Sequence, residues 1–288
     1  GLIKYVMSLM NGARLGIGAQ AVGISEAALQ AAKRYASERK QFGKAIMELA
    51  PVYEMIGVMQ AKLDAARALL YETSRFVDFS KAYAELSKSR SLEPEERQKY
   101  KAVQKSADML TPILKMMSSE YCNQITYDAI QVFGGSGVVQ DFPVERYYRD
   151  ARVTSIYEGT SQLQVVAAVK YVSNGELLAK IKEYVAAVTE PEIAARFNKL
   201  IEQFEKACET CTTVGGELFT FHSRRLVEMG GHIVMSALLY QDKEFDARSA
   251  ESFAHYFKMT EAWNMDRLTY IENFGEADLA ALKEVATK

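Results

Sequence analysis

The chain has 288 residues, 49% of them hydrophobic, enough for one large domain or two ordinary ones with a sizeable core. Its 35 basic and 37 acidic side chains leave a net charge of −2, so nothing in the balance calls for nucleic acid or an anionic membrane surface. Prolines number only five, no apolar stretch is long enough to span a bilayer and no secretory signal is present, so long helices in a cytoplasmic protein are expected.

The first periodic segment covers residues 13–38. Leu15, Val22 and Leu29 recur every seven positions, with Ala and Gly between them. Within it, GIGAQA (16–21) fits a G-x-G-x-x-A dinucleotide fingerprint. That mechanism needs a preceding strand and a tight turn. The preceding YVMSLMNGAR is no strand pattern, so glycines for close helix packing explain the stretch better. ERKQFGKAI (38–46) then ends the helix, with Gly43 as the stop and Arg39 and Lys40 complementing its C-terminal dipole. The same stretch gathers a guanidinium, an amide and an aromatic ring, which suit a phosphate, a polar group and an apolar surface respectively.

A second apolar stripe runs from Glu54 to Phe79 through Ile56, Met59, Leu63, Ala66 and Leu70. Residues 87–100 are polar and charged and predict an exposed connection. Pro94, followed by Glu95 and Glu96, reads as a helix start. The third stripe, over 96–129, carries Val103, Ala107, Leu110, Leu114, Met117 and Tyr121, and Pro112 is expected to kink that helix or mark its beginning. QVFGGSG (131–137) follows, and its glycines leave backbone N–H groups exposed, either to cradle phosphate oxygens or as a simple turn.

The densest stretch is VERYYRDARVTSIYEGTSQLQ (144–164). Arg146, Arg149, Asp150 and Arg152 read as a local ion-pair network that fixes a loop. Taken alone, Glu158 is a helix-start carboxylate. After Thr160, Leu163, Val166, Ala167 and residues 169–171 suggest a fourth helix. Four such helices favour an antiparallel bundle. SNGE (173–176) marks a boundary, giving an all-α chain with a bundle domain over 1–173 and a second, smaller helical domain over 174–288. Helical periods in the latter cover 177–188, 192–212, 217–240 and 250–270, with TTVGG and EMGG as breaks. No segment alternates with period two long enough to make a strand.

The three cysteines are too few and odd in number for a disulfide framework. Cys208 and Cys211 form a C-x-x-C, but zinc needs further ligands at suitable spacing, and His222 and His232 lie in another periodic segment. They read as helix-face thiols, His255 reads as structural, and no metal is expected.

Three stretches in this order, RLGIGAQAVGISEAALQAAKRYASERKQFGKAI, QVFGGSGVV and RYYRDARVTSIYEGTSQLQ, resemble the C-terminal part of the acyl-CoA dehydrogenase family over residues 10–172. The connection between the second and third helices and the tail beyond 174 resemble, more loosely, the larger bacterial branch that includes 3-methylmercaptopropionyl-CoA dehydrogenases. Family members have an N-terminal helical domain, a middle β-domain and then this bundle. The resemblance therefore implies a C-terminal fragment in which GLIKYVMSLMNGAR leaves the middle domain.

It also implies an FAD flavoprotein of fatty-acid metabolism that desaturates an acyl-CoA at its α,β positions, passes electrons to an electron-transfer flavoprotein and assembles as a dimer or tetramer. Glu158 matches the family's catalytic base. Arg39, Gln41 and Phe42 match the residues that hold the distal part of FAD bound mainly by a neighbouring subunit. Gln131, Gly134, Gly135 and Gly137 match the glycine turn near its phosphates, and Thr160 and Gln162 match further FAD contacts. Asn11 and Arg14 stand at a CoA contact, and Tyr157 and Gly159 at the acyl thioester. Val139 and Gln140 depart from the family's usual aromatic or aliphatic pair and acid. In the alternative reading, of another class, the isolated chain is a non-catalytic helical assembly module that binds no flavin and is inactive.

Overall fold

A computed structural model describes the backbone of residues 2–288 and the side chains of residues 11–288. The expectation that residues 1–14 leave a preceding domain falls largely on side chains outside the described residues. The described chain is almost wholly helical and divides into two compact units, Gly1–Gln164 and Val165–Lys288.

In the first unit, helices α1 (Leu2–Glu38), α2 (Ala50–Ser89) and α3 (Pro94–Phe133) pack pairwise, and the short α4 (Val144–Thr154) packs on α1 and α3. Short links make successive long helices antiparallel neighbours. The α1–α2 link holds a minimal hairpin, β1 (Lys40–Gln41) with β2 (Lys44–Ala45), and one 3-10 turn, Ile46–Glu48. The α2–α3 link is only residues 90–93, so the exposed connection expected over 87–100 is mostly helix. It is compact because Arg90 donates to both carboxylate oxygens of Glu96 (2.7 and 2.6 Å), and Glu96 accepts from the Glu93 N–H at 2.8 Å, next to Pro94 at the first helical position. The Arg90 guanidinium holds the Glu96 carboxyl down at about 2.

The core of this unit lies between α1, α2 and α3. Leu29, Met59, Leu63, Leu69, Leu110, Ile113 and Leu114 are fully buried. Gly18 permits a close approach of α1 to α3, since a Cβ there would meet the Leu114 side chain at 2.9 Å. GIGAQA is thus continuous helix, and no turn exists there to carry a pyrophosphate. Pro112 sits inside α3 and neither starts nor ends it. Arg67 of α2 bridges Asp64 (2.6 Å) and Glu26 of α1, tying two helices with one guanidinium.

Helix α5 (Ser161–Ser173) carries the chain from the first unit into the second, where α6 (Glu176–Val185), α7 (Pro191–Val214), α8 (Gly216–Asp242), α9 (Ala247–Asn273) and α10 (Glu276–Thr287) follow. Every residue from Met229 to Tyr240 is buried, making α8 the centre of this unit. EMGG does not interrupt it. A Cβ on Gly230 would stand 2.6 Å from Leu177 and 3.3 Å from Phe204, so that glycine serves helix packing within α8. Burial pushes the Cys208 and Cys211 thiols of α7 up to about 12 and about 11. Among the described residues no helix is long and apolar enough to cross a membrane, and no cluster of three metal-ligating side chains occurs.

Candidate active site

The chemistry-bearing residues fall at two ends of the first unit. One end is built around Glu158, in the link between α4 and α5. Glu158 takes φ 53° and Gly159 φ 90°, two successive left-handed residues. Such a turn reverses the chain sharply but disfavours a side chain at the first position. Glu158 is half-buried.

Several contacts hold this turn. Ser161 N–H donates to the Ser155 carbonyl at 3.0 Å, and Ser161 Oγ donates to Glu120 of α3 at 2.5 Å. Lys115 Nζ donates to the Gly159 carbonyl at 2.7 Å, and Gln164 Nε2 donates to the same oxygen at 2.9 Å. A Cβ on Gly159 would stand 2.9 Å from Gln164 Nε2 and 3.7 Å from Arg14 Nη2, so this position excludes a side chain on both conformational and steric grounds.

Arg14 reaches this turn from α1. It is buried, and burial pulls its guanidinium below the usual range while the Glu158 charge opposes that shift. Arg14 Nη1 donates to Asn11 Oδ1 at 3.4 Å, and Asn11 Nδ2 donates to Asp108 of α3 at 2.8 Å. Asn11, Arg14, Glu158 and Gly159 therefore come together. Tyr157 is beside them, its hydroxyl donating to Gln20, with burial and the Glu158 charge raising its pKa. Thr160 Oγ1 accepts from the Leu163 N–H at 3.4 Å at the start of α5, and Gln162 is exposed in the same first turn.

The segment before the turn is helix α4, not the loop expected. Its charges pair along the helix, Arg149 with Glu145 (3.1 Å) and Asp150 (4.0 Å), while Arg152 instead donates to Ser155 at 2.5 Å. Helix α3 braces α4 from the side: Ser119 Oγ donates to the Thr154 carbonyl (3.0 Å) and Asn123 Nδ2 to the Ala151 carbonyl (3.2 Å). Lys115, Ser119, Glu120 and Asn123 lie on one face of α3. Sequence reasoning missed all four. The signal was present in PILKMMSS, where a lysine stands inside an otherwise apolar stripe.

The other end holds the remaining candidates. Tyr35, near the end of α1, stacks on Phe133 at the end of α3 with ring centroids 4.1 Å apart, and Phe142 contacts both rings edge-on. This aromatic cluster seats the β1–β2 hairpin, with Arg39, Gln41 and Phe42, at the same end as the glycine turn after α3. Phe42 caps the hairpin at φ 50° with 88% of its surface exposed. Arg39, Gln41, Gln131, Gly134 and Gly135 are exposed. Gly134 takes φ 60° and its N–H donates to the Gln131 carbonyl. No atom lies within 4 Å of where a Cβ on Gly134 or Gly135 would be, which leaves their backbone open to a ligand, whereas a Cβ on Gly137 would clash with the Ile130 carbonyl at 2.7 Å. The two ends are separated by the stretch of α1 from Arg14 to Tyr35, 21 helical rises or about 30 Å.

Comparison with known proteins gives two matches in sequence order. Residues 3–170 match the family model described as "Acyl-CoA dehydrogenase, C-terminal domain", and residues 173–279 match "Acyl-CoA dehydrogenase C terminal". The chain is 37% identical over 174 residues to the Caffeyl-CoA reductase-Etf complex subunit CarC of Acetobacterium woodii, covering 60% of this chain and 38% of that protein. It is 38% identical over 163 residues to a probable acyl-CoA dehydrogenase, fadE25, of Mycobacterium bovis, covering 57% and 36%. The chain thus spans little more than a third of the length of these curated relatives. The solved acyl-CoA dehydrogenase complexed with FAD from Bacillus anthracis shares the fold over 98% of this chain and 52% of its own, with a TM-score of 0.69 and 20% identity.

Proposed function

The chain belongs to the acyl-CoA dehydrogenase family, and from that premise we propose that it forms the C-terminal part of an FAD-dependent enzyme that desaturates an acyl-CoA thioester between its α and β carbons. Glu158 is the base that removes the α-proton. The observation that carries this reading is the Glu158–Gly159 turn: a half-buried carboxylate on two left-handed residues, with Arg14 and Lys115 beside it. A carboxylate presented on a constrained turn is positioned for proton transfer and has little freedom to turn away. A thioester set beside this turn would take a hydrogen bond from the Glu158 N–H to its developing enolate oxygen, while Gly159 lets Gln164 and Arg14 close in behind the turn. Tyr157 lines the same face.

FAD fits the residues present. Gly134 and Gly135 leave open backbone, Arg39 offers an exposed guanidinium and Phe42 an exposed ring. Gln41, Gln131 and Gly137 complete that end, while Thr160 and Gln162 would hold the cofactor at the Glu158 end. Bound FAD would supply the acceptor for the β-hydride. The separation of about 30 Å between the two ends supports a shared arrangement, in which each chain offers its base to one cofactor and its hairpin to another chain's. A homo-oligomer, dimer or tetramer, follows from that arrangement. The relative named as a subunit of a reductase–Etf complex supports an electron-transfer flavoprotein as redox partner. We further assign residues 1–173 to the bundle domain and 174–288 to an additional helical domain, and the enzyme to the cytoplasm.

The test is Glu158→Gln in the FAD-loaded, full-length enzyme. Flavin content stays at the wild-type level and turnover falls by about 10²- to 10⁴-fold, the usual contribution of a positioned base. Turnover near that of the wild type would remove Glu158 from this role.

A further inference from the structure

We propose that Lys115 is a positioning residue for Glu158: its buried ammonium holds the Gly159 carbonyl and thereby fixes the turn that presents the carboxylate. This inference rests on the reading of Glu158 as the base.

Lys115 lies in the middle of α3, in a run from Met109 to Ser119 that is buried throughout, and its side chain has no exposed surface. A fully buried lysine is costly unless its charge is well placed. Here the ammonium is given to a backbone carbonyl, that of Gly159, at 2.7 Å. Gln164 Nε2 takes the same oxygen at 2.9 Å, so two donors from two different elements, α3 and α5, converge on one peptide group. That peptide joins Gly159 to Thr160, so its orientation fixes ψ of Gly159, and Gln164 Nε2 also reaches the Glu158 carbonyl at 3.4 Å, so the turn that carries the carboxylate is held on both sides of Gly159. Two successive positive φ values have no stable local preference of their own for a non-glycine residue, so tertiary contacts must hold them.

A neutral donor would suffice for a purely structural clamp, and Gln164 already is one. The charge adds a second effect. Lys115 and Arg14 both act on Glu158 electrostatically, and together they favour one seat for the carboxylate between α1 and α3. The charged and titratable groups facing Lys115 are Arg14 from α1, Glu120 from α3 itself and Glu158 from the turn. Burial pushes the Lys115 ammonium down to about 8, Arg14 pushes the same way, and Glu120 and Glu158 oppose them. A methionine of similar length would relieve this desolvation, so its introduction is compatible with the fold.

The experiment compares Lys115→Met and Lys115→Arg with the wild type in the FAD-loaded, full-length enzyme. Butyryl-CoA and octanoyl-CoA serve as probes, the one giving the faster wild-type reaction being retained. Flavin bleaching in anaerobic single turnover reports the proton- and hydride-transfer step, and steady-state kinetics separate kcat from KM. We expect Lys115→Met to keep its flavin and slow bleaching by roughly 10- to 100-fold with KM changed by less than about threefold, because a misdirected base loses rate and not binding. Lys115→Arg restores most of the rate. A Lys115→Met enzyme within about twofold of wild type overturns the inference. So does a loss that follows flavin content, a loss confined to KM, or an arginine variant no faster than the methionine one. Glu158→Gln is run alongside: if it is inactive while Lys115→Met is normal, only the role of Lys115 fails, and if it is active, both readings fail.

Discussion

Phe42 and Glu158 are the two non-glycine residues with positive φ among the described residues, at 50° and 53°. Each stands at one of the two candidate ends. Backbone strain at a residue that gains nothing from packing points to a task outside the fold. Phe42 is the clearer case, since its ring is 88% exposed. Phe42→Asn removes a ring that stabilises little and places a residue that tolerates the left-handed region. The cofactor-free protein should gain about 1 kcal/mol in a denaturant melt, with flavin affinity lowered in the full-length enzyme. A loss of stability would show that the ring packs on the chain after all. Neither φ value was legible in the sequence. SIYEGT and RKQFGK supplied the side chains, and Gly159 and Gly43 flagged nearby turns, but the strain sits one residue before each glycine.

At the level of elements, α3 does most of the work around the turn. One face of it carries Lys115, Ser119, Glu120 and Asn123 to α4 and to the start of α5. The stripe of apolar residues announced this helix, but its polar bracing face was invisible, because the partners are mainly backbone carbonyls 28 to 44 residues away. Helix α4 was missed for a related reason: its charged, aromatic sequence has only Val144, Ala151 and Thr154 buried, too few to mark a stripe.

In the second unit, α8 runs through two glycines that propensity alone would treat as a stop. The same helix carries His222, buried among Phe221, Tyr270 and Phe274. Burial lowers its pKa, and nearby Arg225 acts in the same direction. With the folded value depressed, the unfolded chain binds more protons below its own pKa of about 6.5. The contribution of His222 to stability is therefore whole above that pH and is lost as pH falls from there through the folded value. Thermal melts at pH 7.5, 6.5 and 5.5 should show a steeper acid loss in the wild type than in His222→Phe. Parallel curves would count against it.

For the whole molecule, the decisive feature is the length of α1. It puts Arg14 and the hairpin after Tyr35 about 30 Å apart. If one cofactor is served by two chains, damage at the two ends must complement. Glu158→Gln and Arg39→Ala subunits, each impaired alone, should regain activity when co-assembled in equal amounts, up to about a quarter of wild-type sites for random pairing in a two-fold assembly. No gain above the sum of the two separate preparations would place both ends in service of one chain's site, or of different ligands.

Read as letters alone, the chain already specified an all-α architecture, because it depends on a local signal, the hydrophobic period; the stop of α1 was misplaced, since the helix ends at Glu38 and Gly43 lies in the turn of the β1–β2 hairpin. The three-dimensional arrangement decided which polar residues meet. Lys115 joins Gly159 across 44 positions, Asn11 joins Asp108 across 97, and the glycine turn meets the end of α1 through Tyr35 and Phe133. Those pairings are set by how long helices lie against one another, and neither partner carries a mark of the other in the local sequence.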